Sequence, residues 1–357
     1  MIYKMTPREK VEIALHGGYP GTIPFTIYEQ KLEPCSLERE LRNRGLCIVQ
    51  RRVPVFNTIR PNVKVTQNVY FEDDKRFVRT YYDTPEGVLT TLEETNSFTS
   101  WVHEKMFKSA DDYRKIRYLV QDETYQPCYE VFQKAQERAG DDVIFRAGLG
   151  LEPLQTFVSS LFMDMQQFCL EWMDSRDEIL SIVKLIGEKR RLSNDLVAKS
   201  PALHANYGGN VTVSIIGKEA FTQYYVPYYD EAADLMHKHG KLIGVHFDGN
   251  NRLIAADIAK SKLDYIEAFT PPPDTDMTLL EARQAWPDKV LWLNYPSSWH
   301  LLSDAAIEEK MPTLFEGITS FDGIIMGITE DMPYDRHLYS CKAIMNGLDQ
   351  LAKNKQN

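Results

Sequence analysis

A chain of 357 residues, 43% of them hydrophobic, can bury a large core, and α/β barrels often reach this length as one domain. The formal net charge of -10 argues against nucleic acid or an anionic membrane as partner, because both are met with basic patches. Five cysteines without a C-x-x-C pair read as reduced thiols of a cytoplasmic protein, and no stretch approaches the roughly 18 apolar residues that a bilayer span needs.

Residues 1–17, MIYKMTPREKVEIALHG, have the spacing of an amphipathic charged helix and lack the apolar centre of a signal peptide. After them, short apolar runs recur, bounded by turn residues, as buried parallel strands do. Eight are candidate barrel strands: 23–28, 46–51, 142–147, 210–215, 241–247, 263–267, 289–294 and 321–327. Helical spacing falls at about 175–199, 227–239, 250–260, 276–285, 304–317 and 334–353. Strands alternating with helices predict a parallel sheet with right-handed crossovers, and eight such units close a (β/α)8 TIM barrel. The expected domain is therefore a single barrel over 1–357, with an N-terminal helix and an excursion at 56–120. Within the excursion, residues 56–100 carry NVKVTQNVYF, RFVRTYYDT and GVLTTLEET, separated by EDDK and PEG turns, and read as a β-meander inserted after the second strand. It suits a lid or a dimer surface, and a homodimer is compatible with it.

The segment VHFDGN, 245–250, carries the densest chemistry. His246 closes a strand and so should stand at the barrel mouth, where barrels keep their chemistry. Asp248 and Gly249 turn the chain, Asn250 can cap the next helix, and Asp248 can orient His246. A lone histidine is commonly structural, but Glu267 ends the following strand in DYIEAFTPPP, and a carboxylate in that apolar setting needs a partner. Pro227 favours a helix start, which places Glu231 near the first turn. A carboxylate there is kept ionised by the helix dipole and can bind metal, or it simply faces solvent. Together Glu231, His246 and Glu267 would leave one coordination position open, the style of a catalytic zinc site. His300 follows NYPSSWH and is a lesser candidate for the same cavity.

Other residues suit substrate binding. Glu152 lies in GLGLEP after a strand, and Tyr207 opens YGGNVTVSIIGKE. Tyr225 belongs to a tyrosine-rich run that packs or lines an aromatic-friendly pocket, and Trp299 fits the same use. Asn250 completes the set.

The run GKLIGVHFDGNNRLIAADIAKSKLDYIEAFTPPP resembles the uroporphyrinogen decarboxylase superfamily. The resemblance is closest to its O-demethylase branch, which passes methyl groups from aryl methyl ethers to a corrinoid protein, and it covers roughly the last half of the chain. It implies a TIM barrel. The RQAGRY-type arginine motif of the true decarboxylases is absent, and the region reads FTIYEQKLEPCSLERE instead. The His-x-Cys pair of the coenzyme M branch is replaced by His246 and Asp248. The demethylase branch implies zinc held by two glutamates and a histidine, here Glu231, His246 and Glu267. It further implies His246, Asp248 and Glu267 as the catalytic group, a small methoxylated aromatic substrate, and cobalamin supplied on a partner corrinoid protein. The expected reaction moves a methyl group from a vanillate- or guaiacol-like ring to cob(I)alamin, with zinc activating the ether oxygen. The alternative is a lyase like uroporphyrinogen decarboxylase, acting on a tetrapyrrole or a small acid.

Overall fold

A computed structural model describes residues 5–96, 100–159, 161–211, 213–329, 332–333 and 335–354. Thr6 opens the first helix, Pro7–Leu15, with a capping box in which Thr6 and Glu9 bond each other's backbone N–H. That helix buries Val11, Ala14 and Leu15, one face at helical spacing. The chain enters the barrel with β1 (Phe25–Tyr28) and β2 (Leu46–Gln50). It leaves for β3 (Phe56–Ile59), β4 (Lys64–Glu72), β5 (Lys75–Thr84), β6 (Gly87–Thr95), β7 (Ser100–Glu104) and β8 (Thr124–Pro127). It returns with β9 (Val143–Gly150), β10 (His204–Tyr207), β11 (Leu242–His246), β12 (Tyr265–Phe269), β13 (Val290–Asn294) and β14 (Ile324–Ile328).

Strands β1, β2 and β9 to β14 pair in parallel and close into an eight-stranded barrel, with β14 joined to β1. The (β/α)8 TIM barrel read from the sequence is the observed fold. Strands β10 to β14 are buried on both faces except at Leu242, which explains their unbroken apolar runs. His204, Tyr265 and Trp292 fill the interior, with ring centroids 5.7 to 6.0 Å apart. Gly244 makes room for this layer: a Cβ there would lie 2.1 Å from the Tyr265 ring.

The fourth strand corrects the sequence reading. It is β10 at His204–Tyr207, not 210–215. Thr212 lies outside the described residues, and Val213–Tyr224 is helical with a break at Gly217. The β-branched VTVSII run is the stronger strand signal, but Gly209 and Asn210, at φ of 86° and 57°, turn the chain just before it. The Gly-Gly pair therefore follows the strand instead of preceding it. Of the other sequence-expected elements, 250–260 starts as a 3₁₀ turn, Arg252–Ile254, before the helix Ala255–Lys260. The 304–317 helix ends at Lys310 and continues as a 3₁₀ turn, Met311–Phe315.

Two compact units share the chain. The barrel unit takes Met1–Pro54, Tyr129–Gly150 and Ser200–Asn357, and the second takes Val55–Cys128 and Leu151–Lys199. The second is larger than the excursion expected over 56–120. Its long helix, Arg176–Lys199, packs on the helix Asp112–Gln121 and on β3 and β8, which draws 151–199 into the same core. Strands β4 to β7 form the expected antiparallel meander, whereas β3 pairs with β8 in a separate ribbon. Among the described residues no helix is long and apolar enough to cross a membrane.

Candidate active site

The site is built at the C-terminal ends of neighbouring barrel strands. His246 ends β11 and pairs in register with Glu267 on β12. The two side chains meet: His246 Nδ1 donates to Glu267 Oε2 at 2.8 Å. Glu267 is fully buried and is held by three further groups. The Arg146 guanidinium, from β9, lies 2.9 Å from Oε1. The Tyr28 hydroxyl, at the end of β1, donates to the same oxygen. Asn206 Nδ2, from β10, reaches Oε2 at 3.4 Å. Beyond the strand, Asp248 Oδ2 lies 3.6 Å from the other imidazole nitrogen of His246. Tyr28 is itself covered by the Arg51 guanidinium, 3.2 Å from the ring centroid, a cation–π contact.

Position depends on two backbone devices. Gly209, after β10, lies so close to β11 that a Cβ on it would sit 2.1 Å from the His246 carbonyl oxygen and 2.5 Å from its Cβ. Ala268, directly after Glu267, has φ of 62°, and the β12–β13 register shifts there. This is a β-bulge at a barrel rim, a device that re-aims neighbouring side chains.

The charges support one another. Burial, the largest influence on Glu267, favours its neutral acid, yet Arg146 and His246 overcome it and hold the carboxyl well below the usual carboxylate range. Burial likewise opposes the imidazolium of His246. The Glu267 charge, the nearby Asp248 and the hydrogen bond to Glu267 outweigh it and raise its pKa to about 10. At neutral pH the site thus holds two cations, Arg146 and His246, around the buried Glu267 carboxylate. His204 below it is the opposite case: burial, the largest effect, with Arg146 nearby, pushes its pKa down to about 3, so it sits neutral in the core.

Asp248 also lines a cavity of about 350 Å³ with Asn210, Val211, Val213, Ser214, Gly249, Asn250 and Asp274. Asn250 thus borders the space beside His246. It does not cap the next helix: Asn251 occupies the cap position, and its side-chain amide donates to the Phe247 and Gly249 carbonyls.

The other expected residues lie elsewhere. Glu231 is exposed on the helix Val226–Lys238, in its second turn, and does not join His246 and Glu267. Among the described residues no group of three His, Cys, Asp or Glu side chains could hold a metal ion. Both Glu267 oxygens are already engaged, one beside a guanidinium that would repel a cation. The zinc set of Glu231, His246 and Glu267 therefore does not fit, and no chemistry is routed through it. Tyr207 and Tyr225 are 1% and 0% exposed and pack on Tyr229 and Phe221. Trp299 lines a different cavity, of about 610 Å³, with Pro271, Pro272 and Leu314. His300 is buried against Tyr295, and its pKa is pushed down to about 4, chiefly by burial. Glu152 belongs to the second unit and is fully buried there.

Sequence reasoning missed Arg146, Tyr28 and Asn206. Arg146 had a signal, a charged residue inside the apolar run DVIFRA, which burial obliges to be paired. Asn206 had none once the strand was placed at 210–215.

No protein-family model matches the chain, and no curated protein sequence matches it. Among solved structures it is similar to a methyltransferase from Methanosarcina mazei, with a TM-score of 0.59 and 12% identity over 97% of this chain and 99% of that one. It is less similar to a D-psicose 3-epimerase from Clostridium cellulolyticum H10, with a TM-score of 0.37 and 10% identity over 92% and 97% of the two chains. At 12% identity the likeness to the methyltransferase shows the barrel fold.

Proposed function

We propose that this protein is a methyltransferase. In this reading it moves a methyl group from a small methoxylated aromatic to cob(I)alamin on a partner corrinoid protein, and His246 acts as the proton donor. One observation carries the reading: an imidazolium clamped between Glu267 and Asp248 at the barrel mouth, where Asp248 lines an open cavity. The full-length likeness to the M. mazei methyltransferase and the sequence resemblance to the O-demethylase branch support it.

An aryl methyl ether resists attack because phenolate is a poor leaving group. An acid whose pKa matches that of a phenol, near 10, can protonate the oxygen as the carbon–oxygen bond breaks. The Glu267 charge raises the His246 pKa from its ordinary value towards that range. The corrinoid, when its partner protein is docked, supplies the electron pair that takes the methyl group. His246 gives its proton to the departing oxygen, the product leaves as a neutral phenol, and Asp248 faces the cavity from which His246 is reprotonated. Glu267 holds the imidazole by Nδ1, and Arg146 keeps Glu267 ionised throughout. Asn250, Ser214 and Asp274 offer polar contacts to the ring substituents, and Val211 and Val213 offer apolar ones.

The test is a screen of methoxylated aromatics with cob(I)alamin, followed by the absorbance of the methylated corrinoid. His246→Gln should cost about 10²- to 10⁴-fold in kcat, the usual weight of a general acid. A methyl ether of a nitrophenol, whose leaving group needs no proton, should lose far less. Equal losses with both donors would refute the acid role, and one zinc per chain bound through His246 would as well. Carbon dioxide release without methyl transfer would favour the lyase reading.

A further inference from the structure

We infer that β4 is a dimerisation edge, which pairs antiparallel with β4 of a second copy of this chain about a twofold axis through Asn68. This stands apart from the reaction and rests on the second unit alone.

The meander has the order β4-β5-β6-β7, so β4 has a neighbour on one side only. Its nine residues are exposed except for the partly buried Tyr70. Val65, Val69 and Phe71 are 48%, 46% and 71% exposed. They share a face with Val78, Thr80, Leu89 and Thr91, which are buried in β5 and β6, where the helix Asp112–Gln121 packs. The covered apolar face thus runs out past its cover at the edge strand. Proteins guard such edges with proline, bulges or charges within the strand. In β4 the pairing is regular from Lys64 to Glu72, proline is absent, and both charges stand at the ends.

The turn fixes which backbone groups are free. Asp73 and Asp74 both have positive φ, at 48° and 63°, and form a two-residue hairpin turn closed by Glu72 and Lys75. The closing pair is hydrogen-bonded, and alternation then points the N–H and C=O groups of Phe71, Val69, Gln67 and Val65 away from β5.

Only one register uses all four. In a twofold antiparallel pair centred on Asn68, Val65 faces Phe71 of the second copy and Gln67 faces Val69, each pair exchanging both backbone bonds. The same register sets Lys64 opposite Glu72 of the second copy, twice across the axis. It also sets Val65 beside Phe71, an aliphatic–aromatic cross-strand pair of the favourable kind. A shift of the centre by one residue separates the charges and strands one outward residue. The strand is self-complementary in charge, in apolar contact and in free backbone groups, and the meanders of two chains become one continuous sheet.

The experiment is sedimentation velocity of the full chain, with disulfide trapping in a background of Cys35→Ser and Cys169→Ser, since both cysteines are exposed. Asn68 would oppose its own copy in a non-hydrogen-bonded pair, where Cα atoms sit about 4.5 Å apart, within disulfide range. The wild type should sediment as a dimer. Asn68→Cys should form a covalent dimer on mild oxidation, and Thr66→Cys, which would face Tyr70, should not. Val69→Lys combined with Phe71→Lys should give a monomer with an unchanged circular dichroism spectrum. A wild type that is monomeric at all concentrations overturns the proposal. So does a dimer that Asn68→Cys fails to trap, or one that survives the double lysine variant.

Discussion

Glu267 is fully buried and still ionised because Arg146 pairs its charge and His246 and Tyr28 donate to it. Removing one partner of such a set leaves a charge in an apolar core, which costs far more than the pair is worth intact. Arg146→Met should therefore destabilise the fold by about 3–5 kcal/mol in urea denaturation, although Met replaces Arg at similar volume. The pH dependence follows from the two shifts. The His246 pKa is raised, so its stabilising contribution is complete below its ordinary value of 6.5 and is lost as pH rises through about 10. The Glu267 pKa is lowered, so its contribution is present above 4.5 and is lost as pH falls through its depressed value. Unfolding free energy measured against pH should show a plateau between 4.5 and 6.5, and His246→Gln should remove the alkaline fall. Ala268 holds a left-handed conformation at φ of 62° that its Cβ disfavours. Ala268→Gly should relieve it and raise stability by roughly 0.5–1 kcal/mol, provided the bulge is retained.

Among the elements, the turn after β10 sets the position of His246. Gly209→Ala places a Cβ against the β11 backbone, where no rotamer can avoid it, so the strands must separate. The expected outcome is a destabilisation of at least about 2 kcal/mol, with the proposed methyl transfer lost even at temperatures where the chain stays folded. Seven of the eight barrel strands were legible in the sequence because parallel strands buried on both faces read as unbroken apolar runs. The eighth was not, because HANY has no β-branched residue and VTVSII nearby has five. His246 and Glu267 were legible as polar residues closing apolar strands, and Asp248 as part of the turn between elements. The zinc set was not realised because helix phase and depth, which set where Glu231 points, are not recorded in the distance along the chain. Arg146 and Tyr28 escaped notice because their partner lies more than a hundred residues away. That pairing exists only once the barrel closes.

At the scale of the whole molecule, the chain crosses between its two units at 54–55, 128–129, 150–151 and 199–200. Neither unit is a continuous segment. The helix Arg176–Lys199 buries Ile179, Ile182, Val183 and Ile186, and it packs on the helix Asp112–Gln121 and on β3 and β8. Replacing 56–127 with a short linker should strip that cover. Such a deletion should give a poorly soluble protein that binds a hydrophobic dye, measured by soluble yield and dye fluorescence, and not a clean barrel. A well-folded soluble product would mean that the helix Arg176–Lys199 does not need the cover of 56–127.

The layer of His204, Tyr265 and Trp292 has one more consequence. With those rings filling the interior, nothing passes through the barrel from end to end. Under the methyl-transfer reading, the ether has to be loaded before a corrinoid carrier covers the rim, and the phenol can escape only once the carrier departs. Turnover should then obey a compulsory order, with excess carrier slowing the reaction by trapping the spent ring inside.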